Sequence, residues 1–174
     1  MIGVDLVNGW QTLLGRTDTL TEPGKIVLSA AGDYYLSLFW AGEGGPAEIV
    51  RYKPNTRQLT VAASYGFLDT PVALAMTPRG DLIVGNREWA ANGGFGGIVR
   101  ISRRRTQKTV YRSPEPSRVT AVAVASEREA WYATAAAPFA PASLFKLDLV
   151  TGHSEQIPIV SGLLGAPSAL VHVR

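Results

Sequence analysis

The chain repeats itself at a spacing of 48 residues, and a period of that length constrains the fold more than any single motif does. Pro23, Pro71 and Pro167 stand 48 and 96 residues apart, with Val119 at the intervening position. Each is followed by a short apolar segment: Ile26-Val27-Leu28, Leu74-Ala75-Met76, Val122-Ala123-Val124 and Leu170-Val171-His172. A turn and an acid come next, as Gly32-Asp33, Gly80-Asp81 and Arg128-Glu129, and then a second apolar segment, Tyr34-Tyr35-Leu36, Leu82-Ile83-Val84 and Ala130-Trp131-Tyr132. Glycine and aspartate tolerate positive φ, so Gly-Asp between two apolar segments predicts a tight turn between strands. Third segments recur at Ile49–Tyr52, Ile98–Ile101 and Leu144–Leu147. Each leads through a polar hairpin to a fourth, near Leu59–Val61, Thr109–Tyr111 and Gln156–Pro158. The stretch Val4–Gly9 aligns with Leu147–Gly152, so a hairpin of the same kind is expected near the start.

Four short strands per unit, with no helical periodicity, predict an all-β chain of β-propeller-like blades. A four-stranded blade cannot bury both of its faces alone and must stack on neighbours. The expected layout is a single domain over 1–174, with a partial blade at 1–22 and complete blades at 23–70, 71–117 and 118–166. Residues 167–174 supply the first strand of the next blade. Four full units exceed the 174 residues, which leaves three arrangements open. These are an open arc of a larger propeller, a small closed ring with one composite blade, and half of a ring completed by a second copy. An open arc exposes apolar faces, so another protein or a copy of the chain is the expected partner.

The run Pro71-Val72-Ala73-Leu74-Ala75-Met76-Thr77-Pro78-Arg79-Gly80-Asp81-Leu82-Ile83-Val84, followed by Gly97-Ile98-Val99-Arg100-Ile101, resembles NHL and SMP-30/gluconolactonase-type repeats. The likeness extends over residues 22–174 and implies a propeller, a fold that serves binding proteins and enzymes alike. SMP-30-type lactonases hold a divalent cation with Glu, Asn and Asp at the funnel. The segment in that place here is Gly85-Asn86-Arg87-Glu88. The resemblance therefore implies, for a hydrolase, Asn86 and Glu88 as ligands of calcium, with Asp69 or Glu43 completing the shell. In the neighbouring units those two positions are Leu38 and Trp40, or Thr134 and Ala136, whereas a hard cation wants several converging oxygens. No cofactor is expected outside the hydrolase reading. The repeated "trp-phe-thr-glu" strands of streptogramin lyases are missing.

Propeller connectivity places the loops after second and fourth strands at the mouth of the funnel. They carry Trp40, Glu43, Asn86, Arg87, Glu88, Trp89 and Phe95, the expected ligand-binding residues. Arg103-Arg104-Arg105 with Lys108 is the strongest basic run, in a third-to-fourth-strand hairpin at the opposite end. The other hairpins do not extend it, so it reads as a solvated tip. A net charge of +3 adds little case for nucleic acid. Arg51, Arg100 and Lys146 share one blade position, which predicts pairing with acids on adjacent strands. The chain has no cysteine and only two histidines, so thiolate metal sites and cysteine nucleophiles are excluded. Its first residues lack a basic region followed by a long apolar stretch, so no signal peptide is expected. The uncharged run Ala130–Phe145 is broken by Pro138 and Pro141 and predicts no membrane span, so the chain reads as soluble, with its compartment unfixed. The reading that follows is a non-catalytic binding or protein-interaction module, open to a small molecule at the funnel. Its rival is a metal-dependent lactonase or esterase-like hydrolase.

Overall fold

The computed structural model describes residues 2–4, 7, 10–13, 23–39, 47–68, 70–87, 96–113, 118–135 and 142–158. These form fourteen strands, with no helix among the described residues. Strands β1 (Ile2–Val4) and β2 (Gln11–Leu13) pair antiparallel, Val4 opposite Gln11, which is the hairpin the alignment with Leu147–Gly152 predicts. Blade 1 comprises β3 (Pro23–Leu28), β4 (Tyr34–Leu38), β5 (Glu48–Lys53) and β6 (Gln58–Ser64). Blade 2 comprises β7 (Thr70–Met76), β8 (Leu82–Arg87), β9 (Gly97–Ile101) and β10 (Gln107–Arg112). Blade 3 comprises β11 (Arg118–Val124), β12 (Glu129–Ala135), β13 (Ala142–Asp148) and β14 (Ser154–Ile157). Each blade is a four-stranded antiparallel meander paired in chain order. No helix among the described residues is long and apolar enough to cross a membrane.

Register repeats along with sequence. The first strand of every blade bulges near its start, between Pro23 and Ile26, Pro71 and Ala73, and Val119 and Ala121. In blades 1 and 2 the first turn closes as its glycine predicts, with φ of 82° at Gly32 and 90° at Gly80. The hydroxyls of Ser29 and Thr77 then accept the amides of Asp33 (3.0 Å) and Asp81 (3.1 Å). Blade 3 has Arg128 in place of the glycine and turns differently. Both Ala125 N and Ser126 N donate to Glu129 O, and the Ser126 hydroxyl accepts the amides of Arg128 and Glu129. A side chain with a Cβ avoids the left-handed region, so the serine takes over the work of the glycine.

First strands lie side by side, β7 packing on β3 and β4 to one side and on β11 to the other. Because each middle blade is sandwiched, β8 is buried almost throughout instead of alternating. Leu82 and Val84 join Leu74, Val99 and Ile101 in the core shared with Ile49 and Ala63 of blade 1. Ile83 faces the other way, with Ala73, Ala75 and Ile98, onto Val119, Val122, Ala130, Tyr132 and Leu147 of blade 3. Gly85 lets β8 come close, since a Cβ there would stand 2.6 Å from Val119 Cγ1. The largest side chain in this second core is Tyr132, fully buried, stacked on Phe145 at 4.9 Å between ring centroids and tilted against Tyr111 at 5.2 Å. Its hydroxyl and that of Ser154 share a 2.7 Å hydrogen bond, and burial pushes the phenol well above its ordinary range. Tyr132→Ala should therefore lower unfolding free energy by about 3–5 kcal/mol, the cost of emptying a large aromatic site. Urea titration of the two chains checks it.

Candidate functional site

At the end of the blades that carries the first turns and the third-to-fourth-strand hairpins, charge repeats with the fold. Arg51 donates from Nε to Asp33 Oδ2 at 2.9 Å, Arg100 from Nε to Asp81 Oδ2 at 2.8 Å, and Lys146 Nζ lies 2.8 Å from Glu129 Oε2. These are the pairings predicted for the shared blade position. The hydrogen bond to Asp33 raises the Arg51 pKa, and that to Glu129 raises the Lys146 pKa. Arg100 also reaches across to the next blade, where Glu127 Oε2 lies 3.4 Å from its Nη2. The same Glu127 accepts the backbone N–H of Arg79. Asp81 is fully occupied, since its other oxygen accepts the Arg103 amide at 3.1 Å, so Arg79-Gly80-Asp81 is a structural turn here.

The basic run sits on this framework. Its hairpin, residues 102–106, is closed by Ser102 N to Thr106 O (2.9 Å) and Arg105 N to Ser102 O (2.8 Å). Between blades 1 and 2 lies a cleft of about 650 Å³, lined among others by Arg51, Arg79, Arg103 and Arg105, with Asp33 the one carboxylate in the lining. Arg104 and Lys108 are exposed and do not line it. The run is thus not the isolated tip the hairpins alone suggest. The first turn of its own blade contributes Arg79, and the neighbouring blade contributes Arg51. A smaller recess on blade 3, about 360 Å³, contains Arg128, Lys146, Asp148 and His153, but there the charges are matched. Arg128 Nε lies 2.8 Å from Asp148 Oδ2, and Lys146 pairs with Glu129.

At the funnel end, Trp40, Glu43, Asp69, Glu88, Trp89 and Phe95 lie outside the described residues. Asn86 and Arg87 end β8, in register with Pro71 and Thr70. Asn86 is buried and its Nδ2 donates to the Phe67 carbonyl at 2.6 Å, which ties β8 to the connection between blades 1 and 2. Gln107 ties the same connection from β10, its Oε1 accepting Phe67 N at 2.9 Å and its Nε2 donating to Ser64 O at 3.2 Å. Arg87 is exposed. Among the described residues, no three carboxylate, histidine or cysteine side chains come together to hold a metal. Neither Gln107 nor Glu127 stands out in the sequence as a site residue. Their partners come from adjoining blades, and only the 48-residue offset between Glu127 and Arg79 hints at one of them.

No protein-family profile and no curated protein matches the chain. Solved structures of β-propeller proteins do. One, in a nidogen/laminin complex, superposes at a TM-score of 0.73 with 12% identity, over 97% of this chain and 58% of its own. TolB from Acinetobacter baumannii gives 0.62 with 18% identity, over 88% and 36%. Virginiamycin B lyase from Staphylococcus aureus gives 0.60 with 15% identity, over 92% and 48%. The chain spans less than two thirds of each, and at these identities the likeness establishes the propeller fold alone.

Two outcomes follow from these side chains. Asp148 is held far below the ordinary carboxylate range by the Thr151 amide first, then by Arg128 and the Val150 amide. A depressed carboxylate stabilises the fold above its unfolded pKa, about 3.9, and loses that contribution as pH falls through the folded value. Asp148→Asn should therefore melt below the parent at pH 7, with the gap closing toward pH 2, as thermal scans across pH will reveal. Thr70 Oγ1 is buried with no hydrogen-bond partner among the described residues. Thr70→Val removes that orphan at constant shape and should be neutral or stabilising by about 1 kcal/mol in chemical denaturation.

Proposed function

We propose that the chain is a non-catalytic interaction module of the NHL/SMP-30 propeller type, which completes its ring with a second copy of itself. One observation carries the reading. On the face of blade 1 that points away from blade 2, Ile26, Leu28 and Val61 are 52%, 57% and 42% exposed. One repeat later, Ile26 becomes Leu74 and Leu28 becomes Met76, and both belong to the core between blades 1 and 2. Leu36, Leu38, Val50 and Tyr52 extend the same face as a buried cluster. The far face of blade 3 carries the matching half. Ala121, Ala123 and Trp131 stand there one repeat after Ala73, Ala75 and Ile83, which pack blade 2 on blade 3; Ala121 and Ala123 are already buried within the chain, and Trp131 is half-buried.

In this reading the exposed Ile26, Leu28 and Val61 of one copy meet the blade 3 side around Trp131 of the other, head to tail. Two runs of about three and a half blades give about seven, within the range of closed propellers. Ligands then meet the segments around Trp40, Glu43, Asn86, Arg87, Glu88, Trp89 and Phe95, which the sequence makes long and rich in aromatics. The rival hydrolase needs calcium on Asn86, Glu88 and Asp69. Asn86 Nδ2 donates to the Phe67 carbonyl and ties β8 to the connection between blades; a cation would be taken by Oδ1, which that bond does not use.

Light scattering on a sizing column tests the reading. The parent should run at twice 18.6 kDa, and Ile26→Glu should run at 18.6 kDa with its sheet signal intact. A parent that is monomeric and monodisperse at 18.6 kDa overturns the dimeric ring. Calcium should leave the melting temperature unchanged, whereas a calcium-dependent rise would favour the hydrolase.

A further inference from the structure

We infer that the cleft between blades 1 and 2 is a carboxylate-binding site for an acidic peptide segment. The two blade junctions share one design with a single reversal of sign. At the junction of blades 2 and 3, the third-strand base Arg100 has two acidic partners, Asp81 of its own blade and Glu127 from the turn of the next. One repeat earlier, Arg51 has Asp33 of its own blade, but the residue in the place of Glu127 is Arg79. A cation that meets a carboxylate at one junction therefore faces a second cation across an open cleft at the other. Arg103 and Arg105 of the hairpin line the same space, and Arg103 lies over the turn, its Cδ 3.6 Å from where a Gly80 Cβ would be.

The four guanidinium groups come from three elements of two blades, and Asp33 is the only acid in the cleft lining, while Glu127 and Asp81 take the backbone amides of Arg79 and Arg103. Arg51 is already oriented, bonded to Asp33 and placed over the Tyr35 ring at 5.9 Å. Arg79, Arg103 and Arg105 have no side-chain acid partner among the described residues, and all are exposed. Guanidinium groups in such a cluster bind carboxylates through paired, charge-assisted hydrogen bonds. The template at the neighbouring junction is itself the side chain of a glutamate. Ala62 and Leu82 add apolar lining that suits peptide side-chain stems. Nucleic acid asks instead for a basic stripe that follows a phosphate backbone, whereas four of the basic groups here gather in one recess and only Arg104 and Lys108 of the run lie outside it.

Fluorescence anisotropy with labelled hexaglutamate at low salt tests the assignment. The parent should bind hexaglutamate and not hexaglutamine, and should release it steeply as salt rises. Arg79→Glu installs the residue that its repeat carries at 127. It should weaken hexaglutamate about tenfold or more, while Arg104→Glu, an equal change of charge outside the cleft, should alter affinity less than about twofold. Should Arg79→Glu fail to fold, Arg103→Gln serves in its place, with the same loss expected. Equal effects of the 79 and 104 changes, no effect of Arg103→Gln, or no binding by the parent would each overturn the site. Tighter binding of a labelled dT20 oligonucleotide than of hexaglutamate would overturn the assignment to acidic peptide.

Discussion

Everything in this arc depends on a sheet whose two faces are both apolar. Backbone hydrogen bonds are satisfied within each blade, so they fix the strands but give one blade no reason to adhere to the next. Stacking does that, through side chains on successive β8 residues that point opposite ways, Ile83 into one core and Val84 into the other. Burying an aliphatic group of that size contributes about 1.5–3 kcal/mol, and each junction gathers several. The fit is one of unequal partners. Blade 2 offers Ala73, Ala75 and Gly85 where blade 3 presses Val119, Val122 and Tyr132 against them. A junction made of small on large cannot pair with its own kind, so blades stack in one direction only. That directionality gives each described blade two unlike faces.

The ion pairs at the turns play a smaller and different part. Partly exposed pairs add little to stability, typically less than about 1 kcal/mol each. Their value is positional. Asp33 and Asp81 each hold the third strand's arginine against the first turn, and Asp81 also takes the Arg103 amide, so hairpin and turn move as one. With the framework carried by stacking, the next position outward is free to change sign without loss of the fold. It does so between Arg79 and Glu127. In a repeat protein a binding site arises most economically in this way, by altering one position of a unit whose neighbours already fix its geometry.

The fold was largely legible because its period is written in residues that cannot be exchanged freely. Pro-apolar-Gly-Asp-apolar marks strand, turn and strand, and the glycines at 32 and 80 do adopt the left-handed conformation that marks them out. The base at Arg51, Arg100 and Lys146 and its acid partner were legible for the same reason, since both lie within one blade. What escaped were contacts between blades. Arg100 and Glu127, or Gln107 and Phe67, meet only once stacking brings distant segments together, and no periodicity in the chain records which of two neighbouring blades a side chain will face. The third turn shows the limit within a blade. Arg128 breaks the glycine pattern, and Ser126 keeps the turn by hydrogen bonding that the repeat does not announce.

A propeller fold does not choose a function, so function has to be argued from sites. The two ends of these blades differ in how a site can be built. At the funnel end, Asn86 at the end of β8 anchors the connection at Phe67, and Gln107 at the start of β10 holds the same connection. At the turn end, short hairpins hold charged groups directly on strand termini. A site there is preorganised by the same bonds that close the turns. Arg51 needs no rearrangement to meet an anion, because Asp33 and Tyr35 already fix its guanidinium. Arg79, Arg103 and Arg105 are ordered only on association, at about 0.5–1.5 kcal/mol each, so what the fold supplies in advance is Arg51 and the fixed backbone of turn and hairpin. Arg104, on the same hairpin but outside the cleft, carries the same charge without that geometry.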